Sequence, residues 1–423
     1  MLQSRSRQLP AELLDFIMTC LADAEDRASL KACSLVHKSW ITSTRPHLFA
    51  AVALADNHNA SGSPRCNKRL IQFLTNSPHL LKYIRHLTVS FGSNGVMSRP
   101  SLLLQESTLP EFLFSLTHLT TLKITAYNKK WGRFSSQLLK GFLHAFGLPT
   151  LKDLHLHGWN FAPNASDLAL HLAPCAESLA QLTLRAVEVQ QMQAGAAPAI
   201  PNHPHETLVL PKLKDLIICP GFRSPRMSHC PFAAPKLAHL HWACLIRHAS
   251  EFAPFLQQCA PEHLSSLALW VHFASSSDVS QFPDISGCTV LTKLQINISY
   301  FDTDDHDVFI RWAAECLSRF PNLRGIESIS LDFHLVNEVS ASTWDFTAWE
   351  RLDSDLFDLY ENGALREVAL TLGFWDYNGP GDPDDPNLDS TPVGDVARNI
   401  VKRFLKLQSS RILRARISPN WMF

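Results

Sequence analysis

No stretch of this chain reaches the roughly 18 uncharged apolar residues that span a bilayer. Its N-terminus, MLQSRSRQ, leads into polar-flanked text containing Asp15 rather than into the apolar core of a secretory signal. An excess of one charge is missing too. There are 38 Lys and Arg against 39 Asp and Glu, so no global field draws the chain to nucleic acid or to an anionic membrane. The ten cysteines contain no CxxC pair and no regular spacing. These absences predict reduced thiols and a cytoplasmic and/or nuclear protein, in which the sequons at Asn59, Asn164 and Asn297 carry no weight.

Signatures of bond chemistry are missing as well. GxxxxGK[ST], GxSxG, HExxH and GxGxxG do not occur, which removes the common phosphate-binding, hydrolase and zincin patterns. The acidic run from Asp302 fails as an EF-hand loop, because Asp307 and Ala313 stand where Gly and Glu are needed. The run from Asp382 fails the same way, with Asn387 and Val393. Asp304 or Asp305 reads more simply as a helix N-cap. Two histidine pairs, His155 with His157 and His239 with His241, each share a strand face. Three strand spacings of about 4.8 Å separate the pairs, roughly 14 Å. Zn–N distances are near 2 Å, so one ion cannot join them. No metal, no cofactor and no catalytic residue is expected.

What is present is hydrophobic text, 46% of 423 residues with only 18% charged, as in folded globular proteins. Much of it is one phrase, LxxLxL. It occurs at Ile84, Leu119, Leu151, Leu179, Leu213, Leu237, Leu264, Leu291, Ile326 and Leu365, every 24 to 39 residues, with ILRARI at Ile412 as a frayed last copy. Helical text such as QLLKGFLHAF (Gln137–Phe146) and FIRWAAECLSRF (Phe309–Phe320) lies between copies. The last two apolar positions alternate, as a strand with one buried face requires. No unit closes its own core, so neighbours must stack. Leu154, Leu216, Leu267 and Leu294, at the middle position of their copies, are expected to be buried. This pattern resembles leucine-rich repeats, although the lengths are irregular and no Asn or Cys ladder is present. The resemblance implies an α/β solenoid of about ten repeats over residues 84–423, with strands on the concave side and helices on the convex side. The Pro/Gly-rich acidic segment 375–392 reads as an exposed loop.

The start of the chain reads differently. Leu13, Ile17 and Leu21 form one helix stripe, with Leu14 and Met18 beside it. A second helix is expected around Ala28–Cys33, capped by Asp26, and a third from Ser34 carrying Val36 and Trp40. Three short helices make a marginal core, so the surplus apolar surface reads as an interface. Leu9-Pro10, Leu13-Leu14, Ile17, Leu21, Leu30, CSLVHKSW and Trp40 together resemble the F-box family. Two departures are visible: the acidic–leucine pair is stretched to Asp26 and Leu30, and His37 stands where Arg or Cys is common. The resemblance implies a trihelical F-box over 1–54, followed by a connector with the first solenoid helix over 55–83. It implies docking on a Skp-type adaptor, and through it a cullin, with Leu9, Pro10, Leu13, Leu14 and Ile17 in the contact. Trp40 would hold the module's own core.

The expectation is therefore a non-catalytic substrate adaptor of an SCF-type ubiquitin ligase, or alternatively a repeat scaffold unconnected to ubiquitin. Its partners would be the adaptor and a protein target, with no nucleic acid and no membrane. Residues flanking the apolar strand positions point to the opposite face. Trp270 and Ile217 place apolar surface among polar neighbours there, the usual layout of a protein-binding hot spot. The target is accordingly expected at Trp270 and Ile217, with His155, His157, Arg185, His239 and His241 around them. The tail Arg398–Arg416, with seven Lys/Arg and no acid, reads as a solvated helix face.

Overall fold

The computed structural model describes residues 9–24, 26–56, 65–92, 101, 103–161, 165–189, 207–219, 232–245, 252–259, 261–273, 285, 287–300, 307–318, 325–336, 346–375 and 392–418. The expected cap at Asp304 or Asp305, the sequons at Asn59 and Asn164, and nearly all of the acidic segment 375–392 lie outside these residues.

In chain order the elements begin with α1 (Ala11–Asp23), α2 (Arg27–Val36), α3 (Lys38–Leu48), β1 (Ala51–Ala55), α4 (Arg65–Thr75) and α5 (Pro78–Leu81). Next come β2 (His86–Phe91), α6 (Thr108–Ser115), β3 (Thr121–Lys130), α7 (Ser136–Phe146), β4 (Asp153–Phe161) and α8 (Ala165–Leu172). Short strands follow: β5 (Gln181–Arg185), β6 (Glu188–Val189), β7 (Leu208–Val209), β8 (Asp215–Cys219) and β9 (Phe232–Ala233). Then come β10 (His239–Leu245), α9 (Phe252–Gln258), β11 (Ser266–Phe273), β12 (Lys293–Tyr300), α10 (Asp307–Ser318), β13 (Ser328–Val336) and α11 (Thr347–Asn362). The last are β14 (Glu367–Trp375), α12 (Pro392–Arg403), α13 (Leu405–Ser409) and β15 (Leu413–Ser418). This is a mixed α/β chain. It divides into two compact units, Met1–Ala162 with Leu170–Gln181, and Pro163–Ala169 with Leu182–Phe423.

In the first unit β1, β2, β3 and β4 pair in that order, all parallel. The middle leucines of successive copies are direct partners, Leu87 with Leu122 and Leu122 with Leu154. β1 extends this row, because Val52 pairs with Leu87 and Leu54 with Val89. The segment expected to close the helical module is therefore a strand, and FAAVAL (Phe49–Leu54) is one more copy of the phrase. Behind the strands, Phe134, Phe142 and Trp159 pack around Phe91 with Trp131 against all three, and Trp159 donates its indole N–H to the Ile124 carbonyl at 3.0 Å.

In the second unit the sheet order is β5-β8-β10-β11-β12-β13-β14-β15, and every registered pair from β8 onward is parallel. Leu216, Leu240, Leu267, Leu294, Ile329, Val368 and Leu413 form one continuous row. β7 and β9 form a separate parallel pair. Three of these strands offer an aromatic side chain to a helix further along the chain. Trp242 meets Phe255 at 4.5 Å between ring centroids, Phe273 meets Phe309 at 4.6 Å, and Phe333 meets Trp349 at 5.0 Å. The four leucines expected at the core are all within 2% of full burial.

A recurring bond fixes the register. The carbonyl just before a strand accepts two N–H groups from the start of the next strand. Ala50 O accepts from Arg85 and His86, Arg85 O from Thr120 and Thr121, and Thr120 O from Lys152 and Asp153. In the second unit Ala238, Ser265, Thr292 and Glu327 play the same part. The last strand shows why ILRARI looked frayed. Val368 pairs with Leu413 and Leu370 with Ala415, so the true copy begins at Ser410, two residues earlier, with polar or small residues in two apolar places.

Candidate functional site

The helical module is built on very little. Leu14, Met18 and Leu30 are its buried core, with Ile17, Leu21, Cys33, Trp40 and Leu48 packed around them. Asp26 caps α2, accepting the Ser29 N–H at 2.9 Å, and its bonds to Ser29 hold its carboxyl below the usual range. The third helix does not start at Ser34. His37 adopts an extended backbone, so Val36 ends α2 while Trp40 belongs to α3. Trp40 does pack on the core, as expected.

Of the five residues expected to face an adaptor, Leu9 and Leu13 are 46% and 44% exposed, Pro10 is exposed and Ile17 is half-buried. Leu14 requires a correction. At 5% exposure it belongs to the core, because it sits one residue on from Leu13 and about 100° around the helix, facing Met18 and Leu30. The sequence reading missed Phe16, Leu35 and Val36, which are 65%, 86% and 65% exposed. Phe16 lies off the expected stripes, and its large exposed ring on a helix of known phase was the available signal.

The second candidate is the strand face away from the helices in the second unit. The alternation that buries Leu267, Leu269, Val271 and Phe273 turns Ser266, Ala268, Trp270 and His272 to this side. Register sets them in rows. Ala243, Trp270, Asn297, Asp332 and Thr371 form one row, and His272, Ser299 and His334 form the next. Asn297, Ser299 and Asp332 are all under 9% exposed. Gln295 ties two of them together, donating from Nε2 to Asp332 at 2.7 Å and to Asn297 Oδ1 at 3.3 Å. The Ser299 hydroxyl and His272 Nδ1 are in direct hydrogen-bond contact.

Burial controls the charge here. It pushes the His241 imidazole down to about 4, helped by the charge of Arg185, and His272 down to about 4, helped by His334. Burial also lowers His334, against the opposing pull of Asp332. These imidazoles are neutral at physiological pH, so they act here as hydrogen-bonding groups rather than as cations. Cys219 is held as a thiol by burial, which outweighs the opposite effect of Arg185.

Of the expected target residues, the structure brings together Ile217, His241 and Trp270, with the His241 and Trp270 rings 5.2 Å apart. Arg185 is exposed and within electrostatic reach of His241. His239 lies beside Asp215, its neighbour on β8, at 4.0 Å. His155 and His157 are half-buried on β4 and belong to the first unit. His272, Ser299, Asp332 and His334 were missed because the strands run eight or nine residues, past the end of the six-letter phrase. Continued alternation beyond that phrase was the signal. Among the described residues no group of three or more potential ligands could hold a metal ion, and no helix is long and apolar enough to cross a membrane.

No family model and no curated protein matches the chain. Among solved structures it is similar to a Bacteroides fragilis protein determined as a structural-genomics target. The two share 14% identity over 71% of this chain and 76% of that one, with a TM-score of 0.28, too low to carry an argument.

Proposed function

We propose that this chain is the target-recognition subunit of an SCF-type cullin–RING ubiquitin ligase, working in the cytoplasm or nucleus. Its first three helices act as an F-box that grips a Skp-type adaptor, and its strands form a leucine-rich-repeat receptor whose open face holds a protein target. The chain itself makes and breaks no bond. It raises the effective concentration of the target beside the activated ubiquitin.

The observation that carries this reading is the surface of the helical module. Leu9, Leu13, Phe16, Leu35 and Val36 are all at least 44% exposed on a bundle with three buried core residues. Single exposed leucines are ordinary, whereas five large apolar side chains on so small a bundle mark a surface made to be covered. The LPxELL start and the CSLVHKSW close resemble the family whose trihelical module is covered by this adaptor. For the target, Trp270 among Asn297, Gln295 and His241 gives an aromatic anchor within a polar surround.

The test is co-purification with a Skp-type adaptor. The wild-type chain is expected to bind and the Leu9→Ala/Pro10→Ala variant to lose binding while remaining folded. If the wild-type chain binds no such adaptor, the ubiquitin link fails and an interaction scaffold is left.

A further inference from the structure

Several buried polar atoms among the described residues have no hydrogen-bond partner. Three of them, the indole nitrogens of Trp131, Trp242 and Trp349, lie within aromatic clusters of the core. Thr183 Oγ and His241 Nε2 are different. Both belong to the strand face away from the helices, and a cation stands beside them.

Thr183 is on β5 and His241 on β10, the two neighbours of β8 in the sheet. On β8, Ile217 is the register partner of His241, and Ile217 and Cys219 are half-buried. Arg185 follows Thr183 by two residues and so shares its face, opposite the buried Leu182 and Leu184. Its charge is felt at both His241 and Cys219, on the two strands beyond its own. Among the described residues Arg185 has no carboxylate in ion-pair distance, since Asp215 faces His239 instead. Trp270 closes the far side, its ring 5.2 Å from that of His241. Two strand spacings, about 10 Å, separate β5 from β10.

We propose that this strip over β8 binds a small oxyanion, phosphoryl or carboxylate, carried on a planar apolar group. Arg185 supplies the countercharge, the Thr183 hydroxyl and a proton on His241 Nε2 donate hydrogen bonds, and the Trp270 ring receives the planar group. Two buried donors left without acceptors are costly by themselves, and an anion accepts from both while neutralising the guanidinium. The proposal rests on reading this face as the recognition surface and is independent of the adaptor.

The test is calorimetric titration of the full chain with phenyl phosphate, benzoate and neutral phenol. Both anions are expected to bind, with phenol at least about tenfold weaker, and the tighter of the two anions identifies the source of the charge. Arg185→Gln should weaken anion binding at least about tenfold. Thr183→Val should weaken it as well, while leaving the melting temperature of the free protein unchanged or higher, because the substitution removes an unpaired buried hydroxyl without changing shape. Phenol binding as tightly as phenyl phosphate would overturn the proposal, as would Arg185→Gln at wild-type affinity with unaltered unfolding. If anions fail to bind while Trp270→Ala still abolishes target capture, the oxyanion site falls and the receptor reading stands.

Discussion

The helical module and the strands β10 to β13 solve the same problem in opposite ways. In β10 to β13 each leucine is flanked by the equivalent residue of a neighbouring strand, and Trp242, Phe273 and Phe333 each meet a helix aromatic. No strand has a core of its own, yet Leu267 and Leu294 are almost completely shielded from water. The module has a core of its own, Leu14, Met18 and Leu30, and leaves Leu9, Leu13, Phe16, Leu35 and Val36 exposed. Burial in the strands is therefore finished on folding, whereas under the proposed function burial in the module awaits a partner. The same residue type, leucine, would then report on stability in one region and on association in the other.

The largest effects should come from the strands. Leu154→Ala, Leu216→Ala, Leu267→Ala and Leu294→Ala each remove a fully packed side chain and should cost about 2–5 kcal/mol in chemical denaturation. Losses below about 1 kcal/mol at these sites would mean the row is not a continuous core.

Within the module the contrast should appear between adjacent residues. Leu14→Ala should destabilise by about 2 kcal/mol or more, and Leu13→Ala by about 0.5 kcal/mol or less. The double variant Leu9→Ala/Pro10→Ala should instead cost at least about 2 kcal/mol in adaptor affinity, roughly 30-fold in Kd. Equal melting losses at Leu13 and Leu14 would erase the distinction between inside and outside. For the strand face, Trp270→Ala should lower target capture at least about tenfold, with adaptor binding and melting temperature intact. Unchanged capture by that folded variant would move the recognition surface elsewhere.

The smallest effect expected is on pH dependence. His241 and His272 carry folded-state values of about 4 against an ordinary 6.5. Between these values the unfolded chain binds more protons than the folded one, so stability falls as pH drops through 6.5 toward 4. His272→Gln and His241→Gln should each flatten the melting temperature's fall in that window.

The core was legible because a period-two strand face leaves a fixed trace in the text. The middle positions Leu87, Leu122 and Leu154 are register partners in the first unit, and those from Leu216 to Val368 are in the second, as the phrase defines. β1 escaped because Phe49 and Val52 stand for leucine, and β15 because Ser410 and Ala415 do. The site was less legible, for two reasons. Leu13 and Leu14 are the same residue in sequence and differ only in helix phase. Asn297 and Asp332 are polar letters whose burial depends on neighbours brought together by register, not by spacing.

The carbonyl shared by two successive amides has an engineering consequence. It anchors each strand at its first residue, so the register is set at one end and the connecting segment is free to vary in length. Inserting residues between one strand and the next changes loop-closure entropy only slowly. Inserting a single residue inside a strand, between Leu267 and Leu269 for instance, would turn the remaining side chains over and present Val271 and Phe273 to solvent. Peptide tags and reporter segments therefore belong in the connections, where this chain already varies its own spacing.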